Sequence, residues 1–157
     1  MMTAPPTLLL PLADEAATAA LAAKLAPLLR PGDMVALRGD LGAGKTAFSR
    51  ALIGVLAGGP VEVPSPTFTL VQSYDLPGGV VWHFDLYRLS SPDEVIELGW
   101  DEARAEGIAL VEWPERLGSL MPADRLELAL SFGEGEARVA SLTGLGRWAE
   151  RLAAWPR

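Results

Sequence analysis

Gly39-Asp40-Leu41-Gly42-Ala43-Gly44-Lys45-Thr46 is the stretch that decides the fold of this chain. Two glycines five apart, then lysine and a hydroxyl residue, make a P-loop pattern when a strand leads in and a helix leads out. Both flanks comply: Asp33 to Leu37 is a short apolar run, and Lys45 to Leu56 carries apolar residues at helical spacing until Gly58-Gly59-Pro60 stops it. The residue types answer a physical need. Glycines let backbone N–H groups converge on phosphate oxygens, and the helix N-terminus adds positive potential. Lys45 reaches the β- and γ-phosphates, and the Thr46 hydroxyl completes part of a Mg²⁺ shell.

Working outward, Leu8 to Leu12 reads as an edge strand, and Asp14 caps a helix whose Leu21, Leu25, Leu28 and Leu29 recur at helical spacing up to Pro31-Gly32. Beyond the loop helix, Ser65 to Tyr74 and Val80 to Tyr87 are β-rich runs joined by Leu76-Pro77-Gly78-Gly79, a hairpin composition. Ser90 or Ser91 caps a helix through Glu97, a second short helix covers Asp101 to Ala105, and Ile108 to Val111 is a buried strand ending at Glu112. Arg125 to Phe132 and Ala137 to Leu142 are strands flanking Gly133-Glu134-Gly135, and Leu145 to Trp155 is a surface helix with Trp148, Leu152 and Trp155 inward. The expected fold is α/β: a P-loop NTPase-like mixed β-sheet flanked by helices, with β-hairpins, in one domain over residues 1–157.

Composition narrows the chemistry. The chain has no cysteine and one histidine, His83, which excludes disulfides, thiolate zinc sites, cysteine nucleophiles and a His-rich metal centre. Twenty acidic side chains against thirteen basic ones give a formal charge of −7, which repels a nucleic-acid backbone. No basic cluster stands out along the chain. Met1 to Leu12 lacks the basic start and unbroken apolar core of a secretory signal, and apolar runs elsewhere fall short of the ~18 residues that span a bilayer, so a cytoplasmic protein is expected. Lys24 and Lys45 are the two lysines, so the context of Lys45 is informative.

A P-loop needs an acid at a strand end to hold magnesium or its water, and two apolar runs end suitably, at Asp85 and at Glu112. Sequence does not rank them. Ser65-Pro66-Thr67 reads equally as a γ-phosphate-sensing loop or as ordinary turn chemistry. His83, inside an apolar run, reads as a satisfied core side chain with no assigned role. Trp113, next to Glu112, is placed to line either the nucleotide or a partner surface, whereas Trp82, Trp100, Trp148 and Trp155 read as packing residues. The acidic stretch from Asp93 to Glu106 reads as the wet face of its helices.

Gly39 to Thr46, Ser65 to Val71, His83-Phe84-Asp85-Leu86-Tyr87-Arg88-Leu89, Glu97-Leu98-Gly99 and Glu112-Trp113-Pro114-Glu115 stand in the order seen in one bacterial family, and the chain closely resembles TsaE, formerly YjeE. The resemblance spans roughly residues 28–116. It implies the ATPase component of the machinery that makes threonylcarbamoyladenosine beside the tRNA anticodon. By resemblance, Asp40, Leu41, Gly42, Ala43, Gly44, Lys45 and Thr46 cradle ATP or ADP with Trp113 bordering the site, Thr46 and Glu112 ligate Mg²⁺, and Lys45 and Asp85 serve hydrolysis. Ser65 to Thr67 would form the switch-like loop. Where the family often has Glu-Thr and Leu-Gly pairs in its first helix, this chain has Ala16-Ala17 and Leu21-Ala22; Arg138 falls on the last hairpin, where the family often places an arginine. The implied partners are TsaB and TsaD, with tRNA reached only through them, no membrane, and hydrolysis that is slow without the partners. A P-loop kinase of a small metabolite is a second class, but the short connections leave little room for a lid or an acceptor site, and a non-enzymatic ATP-dependent scaffold is the third reading.

Overall fold

The computed structural model describes residues 5–40, 42–59 and 70–155. Seven strands form one mixed sheet in the order β1-β7-β6-β2-β5-β4-β3. Strand β2 (Met34–Arg38) is central, parallel to both β5 (Ile108–Glu112) and β6 (Arg125–Phe132). Strand β4 (Gly79–Asp85) extends the parallel set beyond β5, and β3 (Val71–Leu76) turns back against it as an antiparallel edge. On the other side β7 (Arg138–Leu145) is antiparallel to β6, and β1 (Thr7–Leu12) closes that edge.

Strand alternation sorts the side chains into two layers. Val35, Leu37, Ile108, Leu110 and Val81 pack with α1 (Glu15–Leu25) and α2 (Lys45–Ala57), together with Leu21, Phe48 and Leu52, and with Trp148 from α5 (Trp148–Ala153). Met34, Ala36, Ala109, Val111 and Phe84 point the other way, onto Val95 of α3 (Glu94–Glu97), Trp100 and Ala103 of α4 (Trp100–Glu106), and Leu117. Because β2 and β5 bury both faces, they read in sequence as continuous apolar runs rather than alternating ones.

Among the described residues the expected elements are present with three corrections; of the expected run Ser65 to Tyr74, the part before Leu70 lies outside those residues, and β3 begins at Val71. The first α-helix ends at Leu25 and passes into a 3₁₀ turn over Ala26–Leu28, since Pro27 lacks the N–H that the next helical bond requires. Neither Ser90 nor Ser91 caps α3 with its side chain. Its first turn hangs on backbone bonds from Glu94 N to the Ser91 carbonyl and from Val95 N to the Pro92 carbonyl, and the helix begins at Glu94. The final helix is only Trp148–Ala153, because β7 keeps its pairing with β6 as far as Leu145 opposite Arg125. The Asp124 carboxylate then accepts from Arg147 N at 2.8 Å, where the chain turns into the helix.

The basic side chains are also less dispersed than the sequence suggests. Arg30, Arg147 and Arg151 converge with Asp33 and Asp124 around a cavity of about 190 Å³ at the end of the sheet where β2 begins, away from the glycine-rich loop. Arg151 pairs there with Asp33 and Arg147 with Asp124. Among the described residues no helix is long and apolar enough to cross a membrane.

Asp14 does cap α1: its Oδ1 accepts from Ala17 N at 2.9 Å. Removing that acceptor orphans a helix-terminal donor, so Asp14→Ala should lower stability by about 1 kcal/mol. The expected midpoint shift is about 2–4 °C in thermal unfolding of the nucleotide-free protein, with Asp14→Asn close to wild type. Identical midpoints for Asp14→Ala and wild type would contradict the capping role.

Candidate functional site

Strand β2 delivers the chain to Gly39 against the β6 backbone. A Cβ on Gly39 would lie 2.7 Å from the Leu130 carbonyl oxygen, so only glycine lets the loop leave the sheet here. Gly44 adopts φ +106° immediately before α2, a left-handed conformation that glycine enters without strain. Helix α2 has neither a side-chain cap nor an acid in its first turn. Its leading N–H groups therefore present positive potential to an anion.

Alternation also decides what faces this loop. Glu112 shares the face of Ile108 and Leu110, and Asp85 and His83 share that of Val81, so all three polar side chains turn toward the α2 layer. In register, Glu112 lies opposite both Leu37 on β2 and Asp85 on β4. The Thr46 hydroxyl donates to the Glu112 carboxylate, at 3.0 Å from Oε1 and 3.2 Å from Oε2. His83 Nε2 stands 2.6 Å from Glu112 Oε2. Asp85 Oδ1 accepts from Tyr87 N at 3.1 Å, which holds that carboxylate at the strand end.

Lys45 is buried, with its Nζ donating to the Gly39 carbonyl and standing 3.4 Å from the centre of the Trp113 ring. Burial pushes its ammonium below the ordinary lysine range, opposed by the charges of Glu112, Glu115, Asp85 and Asp40. Trp113 has a left-handed backbone (φ 60°, ψ 52°), and its ring packs 4.9 Å from Tyr87. Arg38, the last residue of β2, ties the neighbouring turn to the sheet through Glu115 and Glu127, both at 3.1 Å.

Two cavities meet at the loop. One, of about 250 Å³, is lined by Lys45, Thr46, Asp85, Glu112 and Trp113 together with Gly42 and Gly44. The other, about 690 Å³, lies on the far side of Gly42 and Gly44, between Asp14, Glu15 and Thr18 near the start of α1 and Arg138 on β7. Their combined size falls in the range of nucleotide and drug-sized ligand pockets. Among the described residues no three His, Cys, Asp or Glu side chains converge into a metal cage. The hydroxyl of Thr46 and the carboxylate of Glu112 nonetheless fit a hard cation that takes its remaining oxygens from phosphate and water.

The expected site residues Lys45, Thr46, Asp85, Glu112 and Trp113 thus come together on one cavity, with Gly42, Ala43 and Gly44 on the loop beside them. Asp40 turns the loop, its carbonyl accepting from Ala43 N at 3.0 Å. Leu41 and Ser65 to Thr67 lie outside the described residues. Two further side chains reach the site that the sequence alone does not point to. His83 touches Glu112, and its two-residue offset from Asp85 was the available signal. Arg138 lines the larger cavity, bonds the Gly42 carbonyl at 3.4 Å and stacks 4.7 Å from the Phe132 ring. Its place depends on the β6–β7 pairing.

Residues 12–140 match the family described as threonylcarbamoyl adenosine biosynthesis protein TsaE. A tRNA threonylcarbamoyladenosine biosynthesis protein TsaE from Rickettsia bellii is 39% identical over 130 residues, covering 83% of this chain and 90% of the relative. The Bacillus subtilis protein of that name is 36% identical, covering 86% and 84%, and the Streptomyces coelicolor one 40%, covering 80% and 90%. The crystal structure of Bacillus subtilis YdiB superposes with a TM-score of 0.79 at 27% identity, covering 97% of this chain and 95% of that one. Family match, extent of identity and shared fold together make this chain a member of the TsaE family of tRNA threonylcarbamoyladenosine biosynthesis proteins.

Proposed function

We propose that this chain is a Mg²⁺-dependent ATPase that binds and resets the TsaB–TsaD complex while tRNA is modified to threonylcarbamoyladenosine beside the anticodon. The observation that carries the reading is the convergence of Lys45, Thr46, Asp85, Glu112 and Trp113 on one cavity at the N-terminus of α2. Lys45 exchanges the Gly39 carbonyl for the phosphate oxygens of ATP, a stronger, charge-assisted partner. The first-turn N–H groups of α2 hold the same phosphates. Thr46 and Glu112 hold Mg²⁺, which when bound neutralises charge on the β- and γ-phosphates. Asp85, fixed by Tyr87 N, orients the attacking water and accepts its proton. The larger cavity, bounded by α1 and Arg138, receives the nucleoside.

The net charge of −7 argues that tRNA is reached through partners rather than by direct phosphate contacts. In this reading the ATP-bound chain docks on TsaB and TsaD, and hydrolysis releases it. Docking and nucleotide affinity are then reciprocally coupled, and the chain alone turns over slowly.

Loss of the lysine contact, worth about 1.5–3 kcal/mol, should weaken ATP binding about 10- to 150-fold in Lys45→Ala protein, measured by calorimetry. Unchanged affinity in folded Lys45→Ala would remove the nucleotide site from this loop.

Asp85→Ala should bind ATP normally yet hydrolyse it about 100-fold more slowly or worse in the presence of TsaB and TsaD. Wild-type turnover in that mixture, or tight tRNA binding by the isolated chain at physiological salt, would overturn the proposed mechanism.

A further inference from the structure

His83 and Glu112 are both buried at the sheet face that meets α2, and the imidazole makes one hydrogen bond there. His83 pairs in register with Leu110, which sets Glu112 at the diagonal position two residues further along the adjacent strand. Nδ1 of the same ring is buried with no hydrogen-bond partner among the described residues. A histidine kept only to fill the core carries an imidazole whose polarity has to be compensated, where leucine or phenylalanine would need no compensation. Here the whole of that compensation comes from one carboxylate.

The proton position follows from the same geometry. A bare Nε2 at 2.6 Å would set its lone pair against those of Oε2, and the proton on Nδ1 would be a buried donor without an acceptor. With the proton on Nε2, the ring donates to the carboxylate and the unpartnered Nδ1 is an acceptor. We infer that His83 is a positioning residue for Glu112, its ring donating from Nε2 to fix the carboxylate against Thr46 in the orientation in which the pair holds a divalent cation.

Glu112 is thereby pinned at two points, by the His83 ring and by the Thr46 hydroxyl. A carboxylate offers about four acceptor sites, so these two bonds leave capacity for a cation or its water. The Thr46 hydroxyl spends its single proton on Glu112 and keeps its lone pairs for the same cation. Without His83 the Thr46 hydroxyl alone would hold the buried carboxylate, leaving its second oxygen without the bond that fixes the plane of the group.

The inference rests on the nucleotide-and-metal reading above, and its test separates the two. ADP affinity is measured by calorimetry with Mg²⁺ and with EDTA for wild type, His83→Leu and His83→Gln, after thermal unfolding shows each variant folded. The expected result is that His83→Leu loses about 10- to 100-fold of the Mg²⁺-dependent gain while its affinity in EDTA is unchanged. His83→Gln, whose amide reaches as far as Nε2 and donates, should recover most of the gain. Should His83→Leu fail to fold, His83→Asn, too short to reach the carboxylate, takes its place against His83→Gln. Nitrogen NMR on the wild-type protein adds a readout without mutation, because His83 is the only histidine. It should show a protonated Nε2 and a bare Nδ1. A full Mg²⁺ gain in the folded non-donor variant, or a proton on Nδ1, would overturn the positioning role alone. A wild-type protein with no Mg²⁺ gain would overturn the metal reading itself, and this inference with it.

Discussion

Parallel pairing of β2 with β5, with Leu37 opposite Glu112, is the constraint from which the site follows. The glycine-rich loop leaves β2 and Glu112 ends β5, so this one register sets the distance between the loop and the carboxylate that Thr46 bonds. A slip of one residue would send Glu112 to the opposite face, among Ala109 and Val111, and leave a carboxylate without Thr46 or His83. Both faces of β2 are packed, Val35 and Leu37 on one side and Met34 and Ala36 on the other, so such a slip would displace side chains of different size in both core layers at once.

Three ionisable side chains, Lys45, Asp85 and Glu112, are buried around the same cavity, an arrangement that is costly unless each finds partners. Each does. Lys45 has the Gly39 carbonyl and the face of Trp113, Glu112 has Thr46 and His83, and Asp85 has Tyr87 N. The loop therefore holds together in the absence of ligand while its lysine occupies contacts that a phosphate can replace. Such preorganisation lets binding energy go into ligand contacts rather than into assembling the site.

The two ends of the sheet carry different electrostatics. Acids and the single buried lysine gather at the loop end, and Arg30, Arg147 and Arg151 with their aspartates gather at the other. The arginines at the far end are largely balanced there, Arg147 by Asp124 and Arg151 by Asp33, so the charge of −7 is unevenly spread without a free basic patch at that cavity. Arg151 and Asp33, 118 residues apart, meet only because β2 begins where α5 packs.

How much of this was legible in the sequence depends on the range of the interaction. The strand, loop and helix around Gly39 to Thr46 were readable because a P-loop is local geometry, with glycine where the backbone must crowd β6 or adopt positive φ. The β3–β4 hairpin was likewise announced by Pro77-Gly78, and the cap on α1 by Asp14. Both Asp85 and Glu112 were recognisable as strand-end acids, yet nothing in their own neighbourhoods ranked them. Strand order did that: β5 lies next to β2 and β4 lies one strand further out, so the carboxylate that bonds Thr46 is Glu112. The same order turned His83 from a core side chain into a partner of Glu112 and brought Arg138 from the last hairpin to the edge of the larger cavity. Local chain chemistry determined which groups the protein possesses. Which of them touch was decided by non-local pairing, because strands far apart in sequence become neighbours only when the sheet buries both its faces.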